Sequence, residues 1–384
     1  MVLDAAVVGG GLLGTATAYH LVSAGARTVL VDRADLGRAT DAGAGILSPE
    51  TNGRDPEAWF RLAVPAVAYY PTLVDRLRGE QAGATGYAQC GKLVVAVSDD
   101  ETASFERARR VIFERQRASG WPTAADLHEV SAAEARELFP PLAPVRGAIY
   151  SRRAARVDGR LLNRALRTAA EARGLLVRPG SVEQLVIERD AVQGLVVGGD
   201  TVRAGAVAIA GGAWSEAFGR QLGVTIPVRP QRGQIIHLGL PGTDTSGWPM
   251  VSAFHQHYLV AWGDSRVVAG ATRETGSGFT PHTTAAGVRE VLDEALRVAP
   301  GLAHGEVREI RVGLRPLTPD ALPVLGPVPG IRGIFLVTGH GPTGLTLGAY
   351  SGKLVADQML GKPPEADVSP FSVARFTSTA QPAS

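Results

Sequence analysis

The stretch VVGGGLLGTATAYHL, residues 7–21, decides the fold of this chain. Gly9, Gly11 and Gly14 have the spacing G-x-G-x-x-G, directly after a short apolar run and at the start of a helical pattern. Glycines at this spacing let the backbone turn tightly and approach a pyrophosphate, and the first N–H groups of the following helix face the phosphates. The sequence therefore predicts a strand, a glycine turn and a helix that together bind a dinucleotide.

A second predicted strand, RTVLVD, supports this interpretation because it ends at an acidic residue, Asp32. A carboxylate at this place in a dinucleotide-binding unit accepts hydrogen bonds from the ribose hydroxyls. The succession of strand, helix and strand predicts a parallel sheet. The motif alone does not separate FAD from NAD, so an NAD-dependent dehydrogenase is one interpretation of these residues.

Composition and charge narrow the class of protein. The chain has 384 residues, 20% of them charged, with 39 basic and 37 acidic side chains. This near balance gives no support for a nucleic-acid partner, and oxidation of a base in tRNA is disfavoured for the same reason. The single cysteine, Cys90, excludes an internal disulfide and a multi-cysteine metal site, and we expect no metal. No signal peptide or transmembrane segment is visible, so a cytoplasmic location is expected.

The middle of the chain changes character. Helices are predicted at 57–78, with breaks at Pro65 and Pro71, and at 101–118 and 286–298. The segments GQIIHL, HYLVAW and RVVAGAT predict antiparallel strands, the last two joined around Gly263 and Asp264. Segments of α/β type at both ends and in the middle therefore enclose antiparallel strands, which indicates two domains that share the chain discontinuously.

Five segments, in this order along the chain, resemble the D-amino-acid oxidase (DAO) family of FAD-dependent flavoproteins. The segments are ATDAGAGILSPE (39–50), AIAGGAWSEAF (208–218), VGLRPLTPDALPVLG (312–326), FLVTGHGPTGLTLGAYSGKLVADQML (335–360) and SPFSVARF (369–376). Glycine oxidases and D-amino-acid dehydrogenases are the most similar members. The resemblance extends over nearly the whole chain and is most specific at both termini.

The resemblance implies an α/β fold, α+β overall, with a Rossmann-like FAD-binding domain and a second domain whose mixed or antiparallel sheet covers the flavin. We assign residues 1–80, 141–222 and 306–376 to the FAD-binding domain and residues 81–140 and 223–305 to the substrate domain. Residues 377–384 are polar and are expected to form a flexible tail. Because Cys90 lies far from the C-terminal segments, we expect noncovalent FAD.

The implied activity is that of an FAD-dependent amino acid or amine oxidase or dehydrogenase acting on CH–NH2 or CH–NH donors. Hydride passes from the substrate Cα to flavin N5, and the resulting imine is hydrolysed. Oxygen, or a quinone or electron-transfer partner, then accepts the electrons. Two questions stay open at this point: whether the chain is instead a flavin-carrying subunit of a multi-subunit dehydrogenase, and whether it forms an oligomer.

The resemblance also assigns residues to the cofactor. These lie in the glycine turn, at the end of the second strand, and in the segments that resemble the family: Gly9, Gly11, Leu12, Leu13, Gly14, Asp32, Arg33, Thr40, Ala44, Gly45, Ile46, Val182, Gly211, Gly212, Trp214, Arg315, Gly341, Thr343, Gly344, Leu345 and Thr346. The helix that begins near Gly344 would present its N–H groups to the flavin, whose reduced form carries negative charge.

Arg315 and Tyr258 are the predicted catalytic residues. The planar guanidinium of Arg315 suits a bidentate bond to a substrate carboxylate, and the alternative is a structural pair with Asp320. Tyr258 would donate a hydrogen bond to the same carboxylate or shape the cavity. Glycine oxidases carry a second arginine near the C-terminal glycine turn, but the matching position here is Pro342. We nominate no histidine as a base. This includes His255 and His257, which alternate along one predicted strand, and His340, which lies in the C-terminal glycine turn.

Overall fold

The computed structural model describes residues 2–53 and 56–376. The predicted flexible tail, residues 377–384, lies outside these ranges. Within them the strands are β1 (Leu3–Val8), β2 (Thr28–Asp32), β3 (Ile46–Leu47), β4 (Ala88–Gln89), β5 (Lys92–Ala96), β6 (Leu127–Glu129), β7 (Gly147–Ser151), β8 (Ala155–Arg156), β9 (Leu176–Pro179), β10 (Val182–Glu188), β11 (Ala191–Val197), β12 (Asp200–Ile209), β13 (Arg229–Gly239), β14 (Met250–Ser252), β15 (Tyr258–Trp262), β16 (Arg266–Gly270), β17 (Glu274–Thr275), β18 (Glu306–Leu317), β19 (Val324–Pro327) and β20 (Ile334–Thr338).

The α-helices of the described residues pack on and between the sheets. They are α1 (Leu12–Ser23), α2 (Ala39–Ala42), α3 (Glu57–Gly79), α4 (Thr102–Ser119), α5 (Ala132–Leu138), α6 (Gly159–Ala172), α7 (Gly219–Leu222), α8 (Ala285–Val298) and α9 (Gly344–Met359). Among the described residues, no helix combines the length and the apolar character needed to cross a membrane.

The first sheet contains the N-terminal β-α-β unit. Its order is β10-β11-β12-β1-β2-β9, with β20 beside β12 and β19 beside β20. Strands β20, β12, β1, β2 and β9 are parallel, which confirms the predicted parallel sheet. Helices α1 and α9 cross closely on one face, since a Cβ on Gly352 would lie 2.7 Å from the Cβ of Ala16. The glycine turn before α1 and the turn before α9 are thereby brought to the same edge of the sheet.

The second sheet is mixed, as expected for the substrate domain. Its order is β17-β13-β16-β15-β14-β5-β7-β6, and β18 pairs with β13. All its pairs are antiparallel except β14 with β5. Strands β15 and β16 pair across the predicted turn at Gly263 and Asp264. One face packs against α8 through buried side chains that include Val291, Ala295 and Val298.

Hydrogen bonding places two segments in the second sheet that the sequence-based ranges put with the FAD-binding domain. Strand β7 pairs with β5, and β18 pairs with β13 over its whole length. Backbone hydrogen bonds can therefore join chain segments whose neighbours in sequence lie in the other sheet. The division of the chain into domains stays a proposal.

Helix α3 differs from its prediction. We expected Pro65 and Pro71 to break it, but the helix is continuous and contains both prolines. Its buried side chains, which include Trp59, Tyr70 and Leu77, pack into the same core as α1, α6 and α9. A proline inside a helix costs about 3 kcal/mol, and burial of a large apolar side chain returns about 1.5–3 kcal/mol, so tertiary packing outweighs the local preference.

The two sheets are joined where β18 meets the loop after β2. The N–H of Leu314 donates to the carbonyl oxygen of Gly37 at 2.8 Å. A Cβ on Gly313 would lie 2.9 Å from the Cβ of Ala42, so only glycine permits this approach. Residues of the predicted cofactor loop and the strand that carries Arg315 are therefore fixed to each other.

Candidate cofactor and substrate site

A single cavity of about 390 Å³ is lined by residues of both sheets. All the residues that the sequence assigned to cofactor or catalysis line it, except Gly14 and Thr343. The glycine turn and Asp32 lie at one end, and Tyr258 lies with Arg315 at another part of the lining. The fold thus brings together segments that are more than three hundred residues apart in the chain, such as those of Val8 and Thr346.

The three glycines of the first motif have different roles. Gly9 has a φ of +106°, and a Cβ there would lie 2.5 Å from the carbonyl oxygen of Ala210. A Cβ on Gly14 would overlap the carbonyl oxygen of Gly9. The nearest atom to a Cβ on Gly11 is Thr40 Oγ1 at 3.4 Å, so a side chain there would extend into the cavity. Gly9 and Gly14 shape the turn, while Gly11 leaves room for a ligand.

Asp32 ends β2 as predicted, and it has a partner in Arg38 that was not predicted. Arg38 Nη1 donates to Asp32 Oδ2 at 2.9 Å, and Arg38 Nε lies 3.5 Å from Asp41 Oδ2. Arg38 also lines the cavity, whereas Asp41 does not. Arg33 pairs with Asp35 at 2.7 Å. The ribose end of the cavity therefore contains paired charges of both signs.

Two helices begin at the cavity. The N–H of Leu12, the first residue of α1, donates to Thr40 Oγ1 at 3.0 Å. Helix α9 has no side-chain cap, and its first residues, Gly344 and Leu345, line the cavity. Thr343 turns away, because its hydroxyl donates to the carbonyl oxygen of His340 and accepts from Trp59. Both helix N-termini direct the positive ends of their dipoles at the cavity.

His340 is buried in the turn before α9. Burial lowers its pKa to about 3, so the imidazole is neutral at physiological pH. Its Nε2 lies 3.0 Å from Ser351 Oγ, on the second turn of α9. These contacts indicate that His340 joins the turn to the helix, and they give it no role as a base.

Arg315 lies within β18, opposite Gln231 of β13. Pro316 is accommodated because, among the described residues, β18 forms a continuous ladder only with β13, while on its other side it makes isolated bridges at Leu314 and Leu317 and none at Pro316. The guanidinium lies over Gly233, where any Cβ would overlap it. Its Nη1 donates to the carbonyl oxygen of Thr272 at 2.9 Å and to Gln231 Oε1 at 3.4 Å.

The alternative partner for Arg315 is engaged elsewhere. Asp320 accepts from Arg375 Nε at 2.7 Å and from Arg375 Nη2 at 3.3 Å. No ion pair joins Arg315 to a carboxylate of the described residues. Burial lowers the pKa of Arg315, against the opposing effects of Tyr258 and Glu274. A positive charge in the cavity wall is thus left facing the place where a ligand would lie.

Tyr258 lies on β15, and its hydroxyl reaches over Gly270 of β16, where a Cβ would come within 2.7 Å of it. Burial raises the pKa of Tyr258, while the nearby charges of Arg315 and Arg273 act in the opposite direction. The phenol therefore keeps its proton at physiological pH and can donate a hydrogen bond. The lack of side chains at Gly233 and Gly270 allows Arg315 and Tyr258 to approach each other across the sheet.

His255 and His257, the two histidines that alternate just before β15 in the sequence, lie away from the cavity. His255 contacts Glu294 of α8 at 3.0 Å and Asp100 at 2.9 Å, and His257 Nε2 lies 3.4 Å from Glu290. Neither lines the cavity. Within residues 2–53 and 56–376, no group of three or more His, Cys, Asp or Glu side chains could hold a metal ion.

A second arginine, Arg273, lies in the part of the cavity wall around Tyr258 and was not predicted from the sequence. Pro342 lies in the turn before α9 and lines the cavity, and Arg273, which follows β16, lines it together with Arg315. The signal was present in the segment GATRETG, because a charged residue directly follows a buried strand. Spacing alone could not show that this segment crosses the sheet beside Arg315.

The cavity fits FAD. The space beside Gly11 and the N-terminus of α1 suit a pyrophosphate, and Asp32 suits a ribose. The N-terminus of α9 suits the part of a flavin that becomes negatively charged on reduction. All three elements line one continuous cavity that also contains Arg315 and Tyr258.

Comparisons with known proteins agree with this geometry. The model of the DAO family, described as FAD dependent oxidoreductase, matches residues 4–358. The crystal structure of iminodiacetate oxidase (IdaA) from Chelativorans sp. BNC1 is 39% identical, with a TM-score of 0.91, and the match covers 96% of this chain and 98% of that one. The uncharacterized oxidoreductase YurR of Bacillus subtilis is 38% identical over 96% of this chain and 98% of its own length. A glycine oxidase of Pseudomonas aeruginosa is 32% identical over 96% and 98%.

Proposed function

Because the chain belongs to the DAO family of FAD-dependent oxidoreductases, we propose that it oxidises the C–N bond of a small amine whose reacting carbon carries a carboxylate. The observation that carries this proposal is the position of Arg315. Its guanidinium lines the cavity beside Tyr258, and its only described side-chain or backbone acceptors are uncharged oxygens. A half-buried cation that a bound ligand would desolvate further is costly unless an anionic group meets it, and a substrate carboxylate would be that group.

Family membership also decides between the two cofactors that the first motif left open. The chain is an FAD-binding oxidoreductase, and the NAD-dependent interpretation has no use for the C-terminal segments that line the cavity. The roles of single residues toward FAD are part of the proposal. Gly11, Asp32 and the N-terminus of α1 would hold the pyrophosphate and ribose, and the N-terminus of α9 would stabilise charge on the reduced ring.

The proposed roles of the side chains follow from their protonation states. Arg315 would bind the substrate carboxylate through its planar fork, and the protonated phenol of Tyr258 would donate a further hydrogen bond to it. This fixes the substrate carbon and presents its C–H bond in one orientation, which is the main requirement of the reaction. Bound FAD supplies the two-electron acceptor for the hydride. The substrate amine must be neutral, and the imine product leaves the cavity and is hydrolysed in water.

Two relatives support the substrate class without fixing the substrate. Glycine and iminodiacetate, the compounds in the names of the Pseudomonas and Chelativorans proteins, are both amines whose reacting carbon bears a carboxylate. The feature they share is the one that Arg315 suits. The choice between primary and secondary amines, and between stereoisomers, is left to the experiment below.

The test is anaerobic reduction of the flavin by matched pairs of amines. The FAD-loaded protein is mixed with glycine and methylamine, with N-methylglycine and dimethylamine, and with the two enantiomers of alanine. We expect bleaching of the visible flavin absorption with at least one carboxylated amine and none with its decarboxylated partner. Equal bleaching by the carboxylated and the decarboxylated amine in both such pairs would contradict the proposal. So would the absence of bleaching by any of these compounds or by iminodiacetate.

The same reduced enzyme tests the electron acceptor and the subunit alternative. Rapid reoxidation by oxygen would identify an oxidase, while reoxidation only by a quinone or an artificial dye would identify a dehydrogenase. Turnover by the isolated chain would exclude the hypothesis that it serves only as the flavin-carrying subunit of a larger dehydrogenase.

A further inference from the structure

The part of the cavity wall that contains Arg315 also contains Arg273. Both arginines line the cavity, and both act on Tyr258, whose pKa their charges lower against the effect of burial. Arg315 reaches this place from β18 and Arg273 from the segment after β16. Two guanidinium groups from different segments of the chain thus lie near one phenol.

The backbone that carries Arg273 is fixed from several directions. The carbonyl oxygen of Thr272 accepts from Arg315 Nη1 at 2.9 Å. Arg273 Nη1 donates to the carbonyl oxygens of Gln256 at 2.7 Å and Ala271 at 3.3 Å. These bonds orient the Arg273 side chain and connect its segment to that of Arg315.

Glu274, which follows Arg273 in the sequence, is bound by residues outside the cavity wall. Glu274 accepts from Arg232 Nε at 2.9 Å, from Gln234 Nε2 at 2.6 Å and from Thr272 Oγ1 at 2.7 Å. Its carboxylate is therefore committed to a network along β13, and it does not line the cavity. The network fixes the residues on both sides of Arg273 without placing a carboxylate in the cavity wall.

The charges of the cavity wall are consequently divided. Its acidic residues, Asp32 and Asp35, belong to the nucleotide end. The wall around Tyr258 contributes two arginines and no acidic side chain among the described lining residues. A site of this charge favours a ligand with two negative charges over one with a single charge, because each carboxylate can form a charge-assisted bond with one guanidinium. Arg273 is more exposed than Arg315, so we expect the attraction at Arg315 to be the stronger one.

We propose that Arg273 binds a second carboxylate, so that the preferred substrate is a small amine bearing two carboxylates, one held by Arg315 and the other by Arg273. This inference rests on the proposed function and names the substrate class of the same site. Arg273 is then a specificity-determining residue. The competing arrangement, in which both arginines bind a single carboxylate, predicts a different result in each experiment below.

The first experiment measures binding without turnover. Isothermal titration calorimetry of the FAD-loaded protein compares two ligands that have no amine. Thiodiacetate has two carboxylates, and (methylthio)acetate, CH3–S–CH2–COO⁻, has one carboxylate. We expect thiodiacetate to bind at least about tenfold more tightly, since a charge-assisted pair is gained. In Arg273→Gln this preference should fall to about threefold or less. Equal affinities in the wild type, or an unchanged preference in Arg273→Gln, would overturn the proposal.

A matched arginine provides the control. Arg308 lies on β18, as Arg315 does, and its Nη1 also donates to a carbonyl oxygen, that of Asp264, but it does not line the cavity. Arg308→Gln should keep the wild-type preference for thiodiacetate. Arg273→Lys keeps a positive charge and should recover part of the preference, which a purely structural role would not produce. Arg273→Lys that behaves like Arg273→Gln in a fully FAD-loaded protein would contradict the proposal.

The second experiment uses flavin reduction by iminodiacetate and by its monoamide, which has the same size and one carboxylate. Arg273→Gln should lower kcat/KM for iminodiacetate at least about tenfold more than for the monoamide. An equal loss for both compounds would show that the arginines share one carboxylate and would overturn the inference while leaving the proposed function intact. Tight binding of thiodiacetate without flavin reduction by any carboxylated amine would instead contradict the proposed function.

Discussion

Asp320 forms an ion pair with Arg375, with 2.7 Å between Asp320 Oδ2 and Arg375 Nε. This pair removes the acidic residue nearest in sequence to Arg315 as its structural partner. Arg315 is held instead by a backbone carbonyl and an amide, which orient its guanidinium without neutralising it. Arg375 is therefore paired with a carboxylate, whereas Arg315 has uncharged acceptors only among the described residues.

Replacement of Arg315 by alanine should leave FAD bound and should impair the reaction of carboxylated amines selectively. We expect a loss of about 2–5 kcal/mol in transition-state binding for the carboxylated substrate and a much smaller loss for its decarboxylated analogue. Arg315→Lys should recover only part, because an ammonium group lacks the planar fork. Anaerobic flavin reduction rates provide the measurement. Arg375→Ala is the control, since it removes the Asp320 pair and should affect both substrates alike.

The glycine motif should respond differently at its second and third positions. Gly11→Val should fold but fail to bind FAD, because its side chain would fill cavity space without meeting protein atoms closely. Gly14→Val should lower the stability of the protein itself, since its Cβ would overlap the carbonyl oxygen of Gly9. The measurements are circular dichroism and thermal unfolding without added FAD, followed by titration with FAD. Full FAD occupancy in folded Gly11→Val would contradict the site assignment.

Loss of the Asp32 carboxylate should weaken FAD binding without abolishing it. Asp32→Ala removes acceptors for the ribose hydroxyls and also leaves Arg38 without this partner. We expect a loss of about 1–3 kcal/mol in the free energy of FAD binding, measured by fluorescence titration of the apoprotein. A variant that binds FAD as tightly as the wild type would show that Asp32 serves Arg38 alone.

FAD should be released when the protein is denatured. Burial raises the pKa of the Cys90 thiol and so lowers the fraction of the reactive thiolate. We expect acid precipitation to leave the yellow cofactor in the supernatant, where its absorption identifies it as FAD. Cys90→Ser should retain the same FAD content. Flavin that stays with the precipitated chain would show covalent attachment.

Stability should fall as the pH drops below about 6.5, in part because of His340. Its folded pKa is about 3, against 6.5 for the free side chain. As the pH falls through 6.5, His340 becomes protonated in the unfolded state but stays neutral in the folded state until about pH 3. The contribution of neutral His340 to the free energy of unfolding is therefore lost between these pH values. The slope from one such group is at most about 1.4 kcal/mol per pH unit.

The urea midpoint, measured between pH 7 and pH 4 at saturating FAD, tests this assignment. His340→Gln keeps a hydrogen-bonding group near Ser351 but does not titrate in this range, so its midpoint should decline less steeply than that of the wild type. His20 and His237, whose pKa values burial lowers to about 3 and about 4, account for part of the remaining decline. Parallel curves for wild type and variant would refute the role given to His340.

The sequence determined the cofactor end of the site because its signals are local. In the first motif, Gly9, Gly11 and Gly14 stand at a fixed spacing between a strand and a helix, and Asp32 ends the very next strand. The parallel sheet followed from the same short unit, and the C-terminal segments resembled a family strongly enough to separate FAD from NAD. Each of these conclusions depended on residue types at fixed spacing.

Tertiary structure decided the substrate end. The pairing of β13 with β16 and with β18 brings Arg273 and Arg315 together. The sequence around each arginine does not show which strands will pair. The same pairing placed Arg315 within β18. The ion pair of Asp320 with Arg375 joins residues that are 55 positions apart in the chain. Packing also kept α3 continuous through Pro65 and Pro71. Contacts between distant segments gain their free energy from burial and long-range hydrogen bonding, which local sequence patterns do not encode.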